Sequence, residues 1–411
     1  MSDVPAARDN DATTGDDATV PPALKWGRLP TAPAVTTVLT EILKRGPIPR
    51  IEVARRAGLS QTAVTKAVAR LAEHGLISAH DHRRSSAPGR PVQPLSVHEE
   101  AALAIGITVR VDAIFGVVTT LRADVRHSIH RPLPSTVPAA VADSVATVID
   151  LLLAELGPDA ERVLGAGVAV SGEVDSELGI VRNSPRLNWT DVPLRDLVRE
   201  RRDLPVLVDN DVRALSVAEE WFGIGVDANS FAILTIGAGI GCGLYVNGDI
   251  VTGDHGVAGE IGHLPLGPSD LLCTCGRHGC VETVASTSAI VHAIRTARQD
   301  PLLTMREAVA LARGGDEVAR GAFERAGSVL GLALATVANL VGPSSILVAG
   351  ESVANYDLFD LRLREAFEAH VFGSAGACTI VAKSHTFEDW ARGSAASAIQ
   401  ALVKGKLAAQ S

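Results

Sequence analysis

Two stretches of this chain share one layout, and this repeat constrains the fold more than any other feature of the sequence. Residues 103–125 (LAIGITVRVDAIFGVVTTLRADV) and residues 231–253 (FAILTIGAGIGCGLYVNGDIVTG) each predict a strand, a glycine-bearing turn, a second strand and a third edge. Helical and strand patterns follow in both halves. A repeated strand-hairpin-helix unit indicates a pseudo-duplicated α/β protein with a cleft between two lobes, and the glycine-bearing turns are expected to face that cleft.

Composition places the chain among globular proteins. It has 411 residues, 46% of them hydrophobic and 21% charged, and this length is too great for a single ordinary core. No apolar run approaches the roughly 20 residues of a membrane helix, and the N-terminus lacks the apolar segment of a signal peptide. We therefore expect a cytoplasmic protein of two or three domains, preceded by a disordered acidic tail at residues 1–33.

The net charge of −9 hides a basic segment near the N-terminus. Between Val35 and Arg90, ten lysines and arginines stand against four acidic residues, a net charge of +6, so the remainder of the chain carries −15. A compact basic segment on an acidic body is typical of a nucleic-acid-binding domain, because only that segment attracts phosphate.

Residues 34–97 predict a winged helix-turn-helix domain. A first helix with apolar residues at helical spacing precedes a short second helix, in which Ile51, Val53 and Ala54 are expected to face inward. Ser60 is placed to cap a third helix, whose polar residues would reach double-stranded DNA. A strand, a basic loop that forms the wing and a second strand complete the pattern. The residues expected to contact DNA are Ser60, Gln61, Thr62, Thr65, Lys66, Arg70, Arg83, Arg84 and Arg90. A three-helix protein-interaction module is the alternative, but the charge excess and the wing argue against it.

Residues 259–282 (GEIGHLPLGPSDLLCTCGRHGCVE) predict a metal site. Three of the five cysteines lie within eight residues, which favours metal binding over disulfides, and thiolate and imidazole are the ligands that zinc prefers. Four ligands would leave no open position for water, so the zinc would be structural. His278 could compete for the histidine position, and Glu260 and Glu282 remain beside the site without a metal to bind. The predicted ligands are His263, Cys273, Cys275 and Cys280.

Four sequence blocks resemble the ROK family, which groups repressors with sugar kinases. These blocks are HGVAGEIGH (255–263), CTCGRHGCVE (273–282), VAVSGEVDSELGIVRNSPRLNW (168–189) and LVDNDVRALSVAE (207–219). The resemblance implies an α/β actin-like (ribonuclease H-like) two-lobed ATPase fold behind the winged helix-turn-helix domain. The first lobe would span residues 98–215 and be completed by a C-terminal helix at 386–411, and the second, with the zinc site, would span residues 216–385.

The same resemblance implies a sugar site in the cleft. Asp211 matches the base that deprotonates the sugar hydroxyl in kinase members, and Asn210, Glu260, His263 and Glu282 match sugar-contact positions. His263 would then bind the metal through one ring nitrogen and the sugar through the other. The family also favours His263 over His278 as the fourth metal ligand.

The nucleotide half of the kinase pattern is altered in this chain. Gly106 stands where the aspartate of the first phosphate turn is expected, and Ala238 replaces the threonine of the second turn. Only Gly350 remains of a double glycine near the C-terminal strand, and Arg213 replaces an expected asparagine. Phosphoryl transfer depends on positioning and electrostatic stabilisation, so these losses argue against catalysis and leave Asp211 as a vestigial base.

The combined patterns predict a sugar-responsive repressor that is not an enzyme. It would bind operator DNA as a homodimer or a dimer of dimers, with a sugar or sugar phosphate as its effector and structural zinc as its only cofactor. Two alternatives remain open: a bifunctional protein with sugar kinase activity, and a constitutive DNA-binding protein whose body only dimerises.

Overall fold

The computed structural model of the chain describes residues 32–79, 94–254 and 256–406. The N-terminal domain contains three helices and a small antiparallel sheet of strand order β1-β3-β2. Its elements are α1 (Pro33–Arg45), β1 (Ile48–Pro49), α2 (Arg50–Ala57), α3 (Gln61–Glu73), β2 (Ile77–Ala79) and β3 (Pro94–Val97). Helix α1 buries one stripe, as its helical spacing predicts, and the buried residues are Val35, Val38, Leu39, Ile42 and Leu43. Residues 1–31 of the predicted tail lie outside the described ranges.

One prediction for α2 is wrong. Val53 and Ala54 are buried, but Ile51 is 66% exposed. Residues two positions apart point about 200° away from one another on an α-helix, so Ile51 and Val53 cannot share the inward face. In a helix of eight residues only one narrow stripe can pack on its neighbours, and Val53 and Ala54 supply it.

The first lobe is built on a five-stranded sheet of order β11-β7-β4-β5-β6. Strands β4 and β5 form an antiparallel hairpin, whereas β4, β7 and β11 run parallel. Every residue of β4 and β7 is buried, which explains their continuous apolar sequences. The lobe's elements are β4 (Leu103–Val109), β5 (Ala113–Thr120), β6 (Val125–Pro132), α4 (Pro138–Leu156), β7 (Val163–Val170), β8 (Glu173–Asp175), β9 (Ile180–Ser184), β10 (Trp189–Val192), α5 (Leu194–Arg199), β11 (Val206–Asn210) and α6 (Asp211–Phe222).

The second lobe repeats this topology. Its sheet has the order β14-β13-β12-β15-β16, again an antiparallel hairpin beside parallel strands. The repeated hairpins inferred from the sequence are therefore present in the fold, whereas the predicted glycine-bearing turn is found only in the second lobe. The elements are β12 (Phe231–Ile236), β13 (Ile240–Val246), β14 (Asp249–Ile250), α7 (Glu282–Ala285), α8 (Thr287–Arg298), α9 (Met305–Arg313), α10 (Glu317–Val341), β15 (Ser345–Ala349), α11 (Asp360–His370) and β16 (Thr379–Ala382). The C-terminal helix α12 (Phe387–Val403) then returns to the first lobe.

Helix α12 packs across the sheet of the first lobe. The contact is close because two strand glycines lie beneath it: a Cβ atom at Gly106 would lie 2.0 Å from the Ala391 carbonyl oxygen, and one at Gly167 would lie 2.0 Å from that of Ser394. The assignment of Gly106 to a phosphate turn is therefore wrong, since Gly106 lies inside β4 under a helix. The turn that follows β4 comprises residues 110–112 and contains no glycine.

Among the described residues, no helix is long and apolar enough to cross a membrane.

Candidate functional site

The carboxyl end of β11 places two of the residues predicted to contact a sugar in the cleft. The side chain of Asn210 caps α6 by accepting a hydrogen bond from the Arg213 amide at 3.0 Å, and it donates to the Gly172 carbonyl at 2.9 Å. Asp211 is the first residue of α6, and its Oδ1 accepts from the Val212 amide at 2.8 Å. Parallel strands place their carboxyl ends at one edge of a sheet, where ligands commonly bind.

The carboxyl group of Asp211 lies in an environment that disfavours its charge. Its pKa is raised from 3.8 to about 6, chiefly by burial and also by the charges of Glu351 and Glu260, while the Val212 amide and Arg186 act in the opposite direction. These charges act on Asp211 from the second lobe and from the loop before β10, so both sides of the cleft contribute. At neutral pH Asp211 is ionised and can accept hydrogen bonds from hydroxyl groups.

Glu260, His263 and Glu282 come together on the opposite side of the cleft. Burial raises the pKa of Glu260, His263 lowers it, and the charges of Glu282 and Glu173 raise it again. One Glu282 carboxylate oxygen accepts a hydrogen bond from the Ile240 amide at 3.2 Å. The structure thus brings all five predicted sugar residues to one cleft, where their acceptors are suited to a polyhydroxylated ligand.

Arg213 is buried and neutralises part of this acidic surface. It is 7% exposed and donates to Asp209 Oδ1 at 2.7 Å, to the Val174 carbonyl at 2.8 Å and to Ser176 Oγ at 2.9 Å. It also reaches the Gly256 carbonyl of the second lobe at 3.4 Å. A buried arginine with these partners links the two sides of the cleft, which an asparagine at this position is too short to do.

The glycine-bearing turn of the second lobe is occupied by a side chain of the protein itself. Glu351 Oε1 accepts a hydrogen bond from the Ala238 amide at 3.2 Å, and a Cβ atom at Gly237 would lie 2.4 Å from the same carboxylate. Arg110, from the turn after β4, approaches Glu351 Oε1 to 3.8 Å. The guanidinium group of Arg110 also stacks over the Phe387 ring at 4.2 Å. The backbone amide that could hold a phosphate oxygen thus already has an anionic partner.

The four predicted metal ligands form one cluster. Their ligand atoms all lie within 4.8 Å of one another, with Cys273 Sγ 3.6 Å from His263 Nδ1 and Cys275 Sγ 3.7 Å from Cys280 Sγ. Sulfur atoms around a tetrahedral zinc lie about 3.8 Å apart, so the cluster fits this ion. His278 is exposed and is not part of the cluster. Because His263 Nδ1 lies beside Cys273 Sγ, Nε2 is the ring nitrogen that is left for another partner.

Helix α3 presents the predicted DNA-reading side chains. Ser60 Oγ caps the helix by accepting from the Ala63 amide at 3.2 Å. The other predicted residues of this helix, Gln61, Thr62, Thr65, Lys66 and Arg70, are all exposed. Arg83, Arg84 and Arg90 of the predicted wing lie outside the described residues. In contrast, Arg55 and Arg56 of α2 both pair with Glu52, at 2.5 and 2.7 Å.

Glu173, Arg186 and Glu351 belong to the site although the sequence patterns do not predict them. The charge of Glu173 raises the pKa of Glu260, and the charge of Arg186 lowers that of Asp211. Glu351 raises the pKa of Asp211 and also accepts a hydrogen bond from the Ala238 amide in the glycine-bearing turn. Glu173 could have been found from the sequence, because it follows a buried strand whose carboxyl end adjoins that of β11. No local pattern identifies Arg186 or Glu351, since both reach the cleft through tertiary packing.

Comparison with known proteins agrees with this architecture. The ROK family model matches residues 104–401, and a winged helix-turn-helix DNA-binding model matches residues 37–78. The chain is similar to the xylose repressor of Bacillus spizizenii, with 28% identity over 82% of this chain and 87% of that protein. It is also similar to the DNA-binding transcriptional dual regulator NagC of Escherichia coli, with 31% identity over 74% of this chain and 77% of that protein.

A solved structure shares the whole arrangement. The crystal structure of a ROK family transcriptional regulator, a homolog of the Escherichia coli MLC protein, covers 91% of this chain and 98% of its own, with a TM-score of 0.77 and 24% identity. That likeness extends over the DNA-binding domain and both lobes, because 91% of the chain cannot be covered by the lobes alone. The chain therefore belongs to the ROK family, as a member that carries an N-terminal winged helix-turn-helix domain.

Proposed function

We propose that this protein is a sugar-responsive transcriptional repressor of carbohydrate uptake or catabolism genes. The observation that carries the proposal is the presence, in one chain, of an exposed DNA-reading helix and a cleft lined by acidic hydroxyl acceptors. Such a body binds a small polyol, and the helix binds the major groove of double-stranded DNA. A repressor of this kind acts where the DNA is, so we place it in the cytoplasm, as a homodimer or a dimer of dimers.

The side chains proposed to bind the sugar are Asn210, Asp211, Glu260, His263 and Glu282. Their oxygens and the free imidazole nitrogen offer acceptors to several hydroxyl groups at once, which is how proteins orient sugars with few side chains. Glu173 and Arg186 lie close enough to contribute to specificity. The names of the relatives make D-xylose and N-acetylglucosamine the first ligands to test.

The cleft also contains the turn after β4 (residues 110–112) and the glycine-bearing turn of the second lobe (residues 237–239), which together we call its nucleotide half. This half supports a binding function without phosphoryl transfer. Glu351 fills the glycine-bearing turn, and its charge would repel the phosphate groups of a nucleotide. The turn after β4, from Arg110 to Asp112, presents a cation to Glu351. We infer that the protein has no kinase activity and that Asp211 serves as a sugar ligand.

We further propose that the His263, Cys273, Cys275 and Cys280 cluster holds a structural zinc ion. The donor set and its spacing suit zinc, and four protein ligands leave no position for a reacting water. A zinc ion there would hold the segment that carries Glu260 against the start of α7, which carries Glu282. In this way the metal would stabilise one side of the sugar site.

The proposal is tested by measuring DNA affinity with and without sugars. A duplex enriched from random DNA by the full-length protein is labelled, and fluorescence anisotropy is recorded at fixed salt with D-xylose, D-glucose and N-acetylglucosamine. We expect at least one sugar to change the Kd for DNA by about tenfold or more. If none does, and no sugar raises the Tm either, the proposed sensing function is wrong.

The kinase alternative is tested with the same preparation. A coupled ADP-release assay with each sugar and Mg-ATP should show no turnover above that of an Asp211→Asn variant. Sugar-dependent ADP release that disappears in Asp211→Asn would instead establish a bifunctional protein. A protein that binds DNA but no sugar would favour the third possibility, a body that only dimerises.

A further inference from the structure

One helix connects the proposed sugar site to the DNA-binding domain. The N-terminus of α6 carries Asn210 and Asp211, and its C-terminal turn carries Glu219 and Glu220. Asp211 and Glu220 are nine positions apart, which corresponds to roughly 14 Å along the helix axis. Residues 213–221 are buried without exception, so α6 runs through the interior of the protein from one site to the other.

The C-terminal turn of α6 is tied to the DNA-binding domain by a buried ion pair. Lys44 of α1 pairs with Glu220 Oε1, and their side chains are only 9% and 6% exposed. Tyr245 donates to the same oxygen at 3.1 Å, and Gln400 of α12 approaches the second oxygen at 3.4 Å. Pairs buried to this extent are strongly sensitive to the loss of one partner, because the remaining charge is left without compensation.

Neighbouring contacts extend this interface. Arg45, the next residue of α1, donates to the Val226 carbonyl at 2.5 Å and to Asp227 Oδ1 at 3.2 Å, just after α6 ends. Apolar contacts join the two parts as well: the cluster that forms the core of the DNA-binding domain includes Val217 and Trp221 of α6. The DNA-binding domain is therefore packed directly on α6, in addition to its covalent connection to the first lobe.

Helix α6 is closely packed on several sides. A Cβ atom at Gly243 of β13 would lie 1.9 Å from Ser216 Oγ, and one at Gly393 of α12 would lie 3.0 Å from the Leu215 amide nitrogen. At the far end, Glu219 accepts from Lys383 Nζ at 2.6 Å and lies 3.2 Å from His385 Nε2. Close packing on several sides transmits a displacement along the helix and does not absorb it.

We propose that α6 transmits sugar binding to the DNA-binding domain through the Lys44–Glu220 ion pair. The inference rests on the proposed function, and it assigns a regulatory role to residues that touch neither sugar nor DNA. Binding of a sugar at Asn210 and Asp211 changes the position of the first turn of α6. The C-terminal turn shifts with it, and Lys44 carries the shift to α1 and so to the orientation of α3. The sugar acts through its differential affinity for the two positions of α6.

The test compares two variants that each remove one contact between the DNA-binding domain and the body. Glu220→Gln removes the charge of the ion pair but keeps groups that can bond to Tyr245 and Gln400. Arg122→Gln is the matched control, because Arg122 Nη1 donates to the Gly46 carbonyl at 2.9 Å and does not contact α6. Lys44→Met repeats the test from the other side of the pair, and Tm values confirm that each variant is folded.

The sugar used is the one among D-xylose, D-glucose and N-acetylglucosamine that shifts the Tm of the wild type most. For every full-length variant we measure the Kd for this sugar and the Kd for enriched DNA. We also measure the ratio of the DNA Kd values with and without the sugar. We expect the wild type and Arg122→Gln to show a ratio of about tenfold or more. In Glu220→Gln and Lys44→Met the ratio should fall below about threefold, while the sugar Kd changes less than about threefold.

Hydrogen exchange gives a readout that does not depend on DNA. The sugar should change amide exchange in residues 33–45 of the wild type and of Arg122→Gln, but not of Glu220→Gln, whereas the change in residues 256–263 should persist in all three. A full sugar response in Glu220→Gln overturns the role of α6 and leaves the proposed function intact. Equal loss in Arg122→Gln and Glu220→Gln would show that domain docking in general carries the effect, which also contradicts this proposal. If no sugar changes DNA binding or the Tm of the wild type, both the role of α6 and the proposed function are wrong.

Discussion

The two halves of the cleft differ in whether a side chain of the protein occupies the position that a ligand would take. In the sugar half, Asp211 and Glu260 have raised pKa values because burial and neighbouring carboxylates disfavour their charge. In the nucleotide half, the Ala238 amide already bonds to Glu351, and Arg110 approaches the same carboxylate. A carboxylate whose charge is disfavoured can gain from a ligand that donates hydrogen bonds, whereas the Ala238 amide must first lose its bond to Glu351. We therefore propose that one half of the cleft binds the ligand and that Glu351 closes the other.

This difference separates binding from catalysis in a kinase-like body. Phosphoryl transfer needs both the hydroxyl acceptor and the phosphate donor held in line. A sensor needs only the acceptor side, together with a way to pass the change on. Four experiments test this contrast between the two halves: the first two measure sugar affinity, with the larger effect first, and the last two measure stability.

The largest effect is expected from Asp211→Asn. This change removes a charged hydrogen-bond acceptor, which contributes about 1.5 to 3 kcal/mol and hence about 10- to 100-fold in sugar Kd. Isothermal titration with the sugar that binds the wild type measures the loss. Glu351→Gln serves as the control in the other half and should change the sugar Kd less than about threefold. Equal losses in both variants would contradict the division of the cleft.

Loss of the metal should weaken the sugar half indirectly. Cys275→Ser removes one of the four predicted zinc ligands, so we expect zinc to be absent by native mass spectrometry and the sugar Kd to rise about tenfold. Cys378→Ser is the matched control, since Cys378 is half-buried outside the cluster. A Cys275→Ser protein without zinc that binds sugar normally would show that the metal does not support Glu260 and Glu282.

Removing Glu351 should reopen the nucleotide half. In Glu351→Ala the Ala238 amide loses its partner, so inorganic phosphate should bind weakly and raise the Tm by about 1 °C at saturating concentration. The wild type should show no such shift. Glu365→Gln, which removes an exposed carboxylate paired with Arg362, controls for the change of charge. If phosphate stabilises the wild type and Glu351→Ala equally, the turn is not blocked by Glu351.

The last experiment concerns the dependence of stability on pH. The folded-state pKa of Asp211 is about 6 against 3.8 in the unfolded chain, so its contribution is fully present below pH 3.8 and is lost as the pH rises through 6. Asp211→Asn should therefore have a larger free energy of unfolding than the wild type at pH 7.5, by up to about 3 kcal/mol. The advantage should shrink toward pH 4.5. Thermal unfolding at several pH values without sugar provides the measurement, and a constant difference would contradict the raised pKa.

Some features of the fold and the site can be predicted from local sequence. The buried stripe of α1, the Ser60 cap and the duplicated hairpins follow from spacing alone, because backbone geometry imposes periods that neighbouring residues reveal. The metal cluster follows in the same way, since its ligands lie within one short segment. The prediction for Ile51 is wrong because a helix of eight residues offers too few turns to fix its inward face.

Other features depend on the position of whole elements. The sequence pattern assigns Gly106 to a turn, although this glycine permits α12 to cross β4, and no residue near Gly106 in sequence indicates the later helix. Glu351 lies 113 positions from Ala238, and Glu220 lies 176 positions from Lys44. Pairs at such separations follow from strand order and helix packing, which local spacing does not encode.

The building blocks of this protein are legible in its sequence: a basic helix-turn-helix segment, two equivalent halves, a four-ligand metal cluster and a set of cleft carboxylates. Each is encoded by residues that are close in the chain or by a repeated pattern. Two further facts emerge only from the folded molecule, namely that Glu351 occupies the glycine-bearing turn of the second lobe and that α6 joins the cleft to the DNA-binding domain. Both require distant segments to meet, and close packing of buried elements is what brings those segments together.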